Sequence, residues 1–173
     1  MNWSDITGWL SQDDANLLLK YSKLSTGNVI EFGSYLGRSS VLIASSIGDR
    51  YLICLDGFFS DNNKVELFLD NLNKCNIKNV ITIKGDFFVT NRNLFAKVGM
   101  AFIDGGHMTS CLEVNMECCN KNLIIGGYIV FHDYINTQYP DVKQFVDELI
   151  KKGYYQYLEK TPNGSSIVIK RIR

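Results

Sequence analysis

The sequence carries no net charge, with 18 lysines and arginines against 18 aspartates and glutamates. That balance removes the electrostatic ground for nonspecific binding to nucleic acid or an anionic membrane, and it points to a small-molecule partner. No apolar run approaches the roughly 20 residues of a membrane span. The opening Met1-Asn2-Trp3-Ser4-Asp5 lacks the basic residues of a secretory signal, so a cytoplasmic location is the expectation. Cys54, Cys75, Cys111, Cys118 and Cys119 form an odd set without a Cys-x-x-Cys pair. Neither a disulfide framework nor a zinc knuckle is indicated, and the cysteines read as reduced thiols. Repeats, low-complexity stretches and linkers are also missing. One domain over 1–173 is expected, with a leading helical segment at 1–27 and a core at 28–173.

What is present is a rhythm. Ser11 followed by Gln12, Asp13 and Asp14 is a capped helix start with negative charge in the first turn. Leu17, Leu18, Tyr21 and Leu24 follow at helical spacing, and Gly27 ends the run. From there short apolar runs alternate with longer amphipathic stretches, the pattern of βαβ units and a parallel sheet. Strands are expected at Val29–Phe32, Tyr51–Leu55, Val80–Ile83, Met100–Ile103 and Tyr128–Phe131. Their near-continuous apolar character suits a sheet covered by helices on both faces. Helices are expected at 37–47, 63–75, 91–96, 110–122 and 141–151, the last after Pro140. The tail differs, since Tyr154–Glu159 and Ser166–Ile172 flank a segment containing Asn163-Gly164, the strongest short signal for a tight antiparallel hairpin.

Chemistry gathers where strands end. Glu31-Phe32-Gly33-Ser34-Tyr35-Leu36-Gly37-Arg38-Ser39-Ser40 turns from the first strand into a helix, and its two glycines let a ligand approach the backbone. Asp56, Asp86, Asp104 and Asp133 close the next four strands. In an open α/β sheet those ends face one crevice, so acids distant in sequence can converge there. Asp56 suits a ribose, because carboxylate oxygens accept from both vicinal hydroxyls. So many carboxylates would repel phosphates, and they favour a nucleoside carrying positive charge over a dinucleotide. His107 and His132, the only two histidines, both follow strands at the same edge, where imidazole can take a proton from a substrate hydroxyl near neutral pH.

The segment Glu31–Ser40 resembles motif I of class I S-adenosylmethionine-dependent methyltransferases. Phe102-Ile103-Asp104-Gly105-Gly106-His107, with Gly126-Gly127-Tyr128-Ile129-Val130-Phe131-His132-Asp133-Tyr134, is similar to the small group that includes macrocin O-methyltransferase and cephalosporin-hydroxylase-like proteins. The resemblance covers almost the whole chain. It implies a Rossmann-like α/β fold with a mostly parallel seven-stranded sheet, helices on both faces and a C-terminal antiparallel hairpin. It implies that Glu31 and Gly33 border the methionine part of the cofactor, with Ser34, Tyr35, Gly37 and Ser39 in the same turn. Asp56 beside Gly57 would hold the ribose, Asp86 and Phe87 would flank the adenine, and Asp104 would face the transfer centre. Some members hold magnesium on carboxylates at the last two strand ends, which here means Asp104 and Asp133. His132 stands where an acid often sits in that pattern, and Gly106 where the family often has Asp.

The expected activity is methyl transfer to a small-molecule acceptor, more often oxygen than nitrogen, with Asp104, His107 and His132 as the catalytic candidates. Metal-assisted and histidine-assisted proton removal both stay open. Competing readings are a noncatalytic S-adenosylmethionine-binding module, a structural protein with capping acids only, and a nicotinamide-dependent oxidoreductase. The last lacks its Gly-x-Gly-x-x-Gly turn, since the chain reads Gly33-Ser34-Tyr35-Leu36-Gly37. Neither the acceptor nor an oligomeric state is legible.

Overall fold

A computed structural model describes residues 1–58, 63–85 and 97–173. A short 3-10 turn at Trp3–Asp5 precedes α1 (Gln12–Leu24), β1 (Asn28–Phe32), α2 (Arg38–Ser46), β2 (Leu52–Asp56), α3 (Asn63–Lys74) and β3 (Val80–Lys84). Then follow β4 (Val98–Ile103), α4 (Thr109–Asn122), β5 (Leu123–Phe131), α5 (Pro140–Lys151), β6 (Tyr155–Lys160) and β7 (Ile167–Arg171). The seven strands form one sheet in the order β3-β2-β1-β4-β5-β7-β6. Strands β1 to β5 pair in parallel, and β7 lies antiparallel between β5 and β6. This is the parallel sheet and terminal hairpin expected from the pattern, in the Rossmann-like seven-stranded form that the resemblance implies. The helix expected at 91–96 lies outside the described residues.

Period-two alternation divides the core between the two faces. Val29, Leu52, Cys54, Met100, Phe102, Val130 and Val168 pack with α1 and α2 residues such as Leu18 and Leu42. Their neighbours Ile30, Ile53, Leu55, Ala101, Ile103, Ile129 and Phe131 pack on the other side with Leu112 and Met116 of α4 and Val142 and Val146 of α5. Two-sided burial holds for the inner strands but not for β3, an edge strand whose Ile81 is 46% exposed. Strand β5 begins five residues before the expected Tyr128. The pairing jumps from Val98↔Leu123 to Met100↔Tyr128, and the irregularity contains Gly126 at φ +87°, a conformation glycine adopts without steric cost.

The hairpin forms, though not through a tight Asn-Gly turn. Lys160 pairs with Ile167, and the Thr161 N–H donates to Ser166 O at 2.9 Å, so the loop proper is residues 162–165. Neither Asn163 nor Gly164 has the positive φ that a two-residue turn of that type demands. The loop is instead docked on α1. Asp14, buried in the first turn of that helix, accepts from the backbone N–H groups of Ser165 (3.0 Å) and Ser166 (2.9 Å). Gly164 permits the approach, because a Cβ there would stand 2.5 Å from Asp14 Oδ1.

Asp14→Ala strands two backbone donors, one of them buried, and is expected to lower stability by about 3 kcal/mol in urea unfolding. Gly164→Ala, which keeps every donor but closes the gap, should destabilise in the same direction; a neutral result at both positions would remove the docking contact as a determinant of the hairpin.

Candidate active site

The order β2-β1-β4 sends the chain to opposite sides after β1, and the crevice opens at that switch between the carboxyl ends of β1 and β4. Gly33 leaves β1 at φ +90°, where a Cβ would meet the Asp104 carbonyl oxygen at 2.7 Å. Any side chain there would push β1 and β4 apart. Asp56, at the end of β2, ties the turn: its Oδ2 accepts from the N–H groups of Ser34 (2.7 Å) and Tyr35 (2.8 Å), and its Oδ1 from Phe58 N–H (2.7 Å). Tyr35 and Phe58 both adopt positive φ, at 47° and 49°. This backbone strain is offset by the carboxylate between them.

Glu31 lies beneath the same turn and is fully buried. It accepts from Ser34 Oγ (2.8 Å), Ser39 Oγ (2.6 Å), Ser40 Oγ and Cys54 Sγ (3.2 Å). Burial pushes its carboxyl up from the ordinary value, while the serine hydroxyls pull it down. Glu31 therefore acts on the turn rather than on the cavity, whose lining excludes it and Gly37.

The two histidines meet the last strand-end acids. His107 Nε2 lies 2.9 Å from Asp133 Oδ2, and its ring stacks on Tyr139 with centroids 3.6 Å apart and planes within 6°. His132 is buried, with Nδ1 3.1 Å from Asp104 Oδ1 and 3.3 Å from Asp133 Oδ2. On its other edge Nε2 faces Ser165 Oγ at 3.1 Å and Asp14 Oδ2 at 3.7 Å. Burial opposes the charge on His132, but contacts with Asp104, Asp133 and Asp14 outweigh it and push its pKa up to about 12. For Asp133, burial is overcome by His107, His132 and Asn136, which hold its carboxyl far below the usual range. For Asp104 burial prevails, raising its carboxyl against the pull of His132.

These groups surround a cavity of about 480 Å³. Of the expected site residues, Gly33, Ser34, Tyr35, Ser39, Asp56, Gly57, Asp104, His107, His132 and Asp133 line it. Asp86 and Phe87 lie outside the described residues. The sequence reading missed Trp9, Arg38, Asn136 and Tyr139, which line it too. Trp9 is 77% exposed and packs over Tyr35 with centroids 5.4 Å apart. Arg38 could have been noticed, since it follows Gly37 directly in the ligand turn; nothing in the sequence marks Tyr139 or Asp14.

A family model described as a methyltransferase domain matches residues 30–134, more than half of the chain. The chain belongs to that methyltransferase family. No curated protein matches it significantly. Solved structures share its fold at low identity. The O-methyltransferase TomG from Streptomyces achromogenes, solved with SAM, aligns at TM-score 0.75 and 15% identity over 95% of this chain and 82% of its own. An O-methyltransferase from Bacillus cereus, solved with SAH, aligns at 0.77 and 12% over 98% and 86%. The SAH-bound Podospora anserina methyltransferase PaMTH1 aligns at 0.76 and 12% over 95% and 80%.

In this methyltransferase Asp104, His107 and Asp133 each offer one ligand atom within 4.8 Å of the others, which would be a candidate cation site. Among the described residues the set offers two carboxylates, which magnesium accepts with water completing its octahedron of oxygens, and an imidazole nitrogen, which suits that hard cation poorly. Gly106 cannot add a third carboxylate, because at φ +68° its Cβ would lie 2.7 Å from Cys111 Cβ. His132 is in turn unsuited to be a base, because it already holds its proton at neutral pH.

The same groups give stability a pH window. Ionised Asp14 and Asp133, both depressed, contribute fully above 3.8, and the contribution is lost as pH falls through their folded values. Protonated His132 contributes fully below 6.5 and progressively less as pH rises from there toward about 12. From this cluster the melting temperature should fall as pH drops below 3.8 and fall again as pH rises above 6.5, with the raised carboxyl of Asp104 adding to the loss on the alkaline side. Scanning calorimetry on His132→Gln should show a shallower alkaline decline than wild type; an identical slope would contradict the assigned charge.

Proposed function

We propose that this methyltransferase moves a methyl group from S-adenosylmethionine to a hydroxyl oxygen of a small-molecule acceptor. The Asp133–His107 pair carries the reading, because it opens on the same cavity as the Gly33–Ser39 turn. The fold shared with structures solved with SAM or SAH supports the cofactor. Bound there, the sulfonium would supply an activated methyl on a good leaving group. The remaining work is placement and removal of one proton.

Gly33 keeps the turn open to a ligand, and Asp56 Oδ1, which accepts one N–H, retains a lone pair for a ribose hydroxyl. Asp56 Oδ2 already takes two backbone donors, so the earlier expectation of both oxygens on the ribose narrows to one. Arg38 is the one arginine or lysine among the described lining residues and suits the carboxylate of the methionine end. Asp104, facing the cavity, complements the positive charge at the transfer centre.

On the acceptor side, ionised Asp133 can only accept, which places the His107 proton on Nε2 and leaves Nδ1 free to receive the proton of the attacking hydroxyl. Tyr139 fixes the ring from one face. Trp9, His132, Asp133 and Asn136 also border a second recess beside the first, running over Asn163 and Ser165. That recess is where an acceptor would reach the transfer centre.

Calorimetry should detect S-adenosylmethionine binding. Asp56→Ala should weaken it by roughly tenfold or more, the worth of a hydrogen bond to a charged group. His107→Ala should leave cofactor affinity in place and lower kcat on a hydroxyl acceptor by roughly 10²–10⁴-fold. Cofactor binding with no transfer to any of a panel of hydroxyl acceptors would mark a noncatalytic binding module instead, and a folded protein that binds no cofactor would end the proposal.

A further inference from the structure

We infer that Trp9 selects the methyl acceptor: the molecule that enters the second recess rests an apolar or aromatic face on the indole and carries neither phosphate nor carboxylate. The inference rests on the proposed function for what happens to that molecule, and on the recess alone for its chemistry.

Trp9 is held in place on a fixed arm of the chain. Ile6 and Leu10 on either side of it are buried, and Ile6 O accepts from Arg38 Nη1 at 2.9 Å. Gly8 passes so close to Arg38 that a Cβ would meet its side chain at 3.3 Å. Tyr35 backs the indole from the ligand turn, with the two planes 37° apart. A large apolar ring fixed in water at 77% exposure is unfavourable, so a molecule that covers it gains binding free energy. Trp9 borders both the first cavity and the recess of about 490 Å³ beside it. A molecule on the recess side of the indole therefore lies alongside the cavity that would hold the cofactor. Ile135, half-exposed, gives the recess a second apolar group.

The polar groups of the recess are neutral or acidic. Asn136, Asn163 and Ser165 offer amide and hydroxyl groups suited to hydroxyls. Asp14 and Asp133 line it as well, and Asp13 holds Asn163 in place, accepting from its backbone N–H at 3.2 Å and from Nδ2 at 3.1 Å. Among the described lining residues of the recess there is no lysine or arginine. His132 is one ring against three carboxylates, so the excess is negative whether or not that ring is charged. The nearby cations stand at the ligand turn instead, Arg38 in the first cavity and Lys64 at 4.9 Å from the centre of the Tyr35 ring. Lys143, in the groove beyond Ile135, is paired with Asp147. An anionic acceptor would lose hydration in the recess and meet like charges there, whereas a neutral ring bearing hydroxyls covers the indole without that loss.

The test reads Trp9 directly, since Trp3 and Trp9 are the two tryptophans of the chain. In Trp3→Phe, or as the difference between wild type and Trp9→Phe, the emission of Trp9 should be quenched by acrylamide and caesium but protected from iodide, each relative to free tryptophan amide. With S-adenosylhomocysteine added, phenyl glucoside and catechol should shift that emission at concentrations where their carboxylate counterparts, phenyl glucuronide and protocatechuate, do not. For the neutral member of a pair that is methylated, Trp9→Ala should raise KM by roughly fivefold or more with kcat held within about twofold, and Trp9→Phe should restore KM. Ile135→Lys should narrow the discrimination against the carboxylate member by roughly tenfold. Iodide quenching as strong as caesium quenching, emission untouched by both neutral probes, a carboxylate that binds as well as its neutral counterpart, or an unchanged KM in Trp9→Ala would each overturn the inference. Neutral probes that bind at Trp9 without any methyl transfer would overturn the proposed function and leave the selection by Trp9 standing.

Discussion

The ion cluster around His132 joins parts of the molecule that no covalent proximity brings together. Asp14 arrives from the leading helix, Asp104 from the fourth strand and Asp133 from the fifth, while Ser165 arrives from the hairpin. Partners removed from water are costly unless all are present, so each segment is held by the others. Asp14 has a double part, because its Oδ2 faces the imidazole while its Oδ1 receives the loop amides. Cavity, leading helix and terminal hairpin therefore share one electrostatic constraint.

A second use of carboxylates runs through the first turn. Glu31 gathers serine hydroxyls under it and Asp56 gathers backbone N–H groups beside it. Both convert charge into loop geometry before any ligand is considered. This explains how Tyr35 can keep a left-handed backbone at the cavity edge without being glycine. It also explains why a row of strand-end acids separates into different tasks: one buried under the turn, one half engaged by it and two paired with histidines.

The chain's own pattern determined a good deal. Apolar runs of strand length alternating with amphipathic stretches dictate β1 to β5 and their helices, because each strand has to bury two faces. Gly33, Asp56, Asp104, His107, His132 and Asp133 were legible as site residues because their positions relative to those runs place them at one sheet edge. The motif around Asp104 and His132 sufficed to suggest the methyltransferase family to which the chain belongs.

Tertiary structure decided what pairwise spacing cannot express. Asp14 read as an ordinary first-turn acid, and only the packing of α1 against the hairpin makes it a partner of His132 across more than a hundred residues. The Asn163-Gly164 pair read as a turn, but the glycine is needed for close approach to that same carboxylate. In the sequence His132 and His107 both read as imidazoles just after a strand, set apart by the resemblance, in which His132 stands where an acid often sits. Three carboxylates meet the His132 ring and one meets His107, a difference that exists only once the strands are assembled.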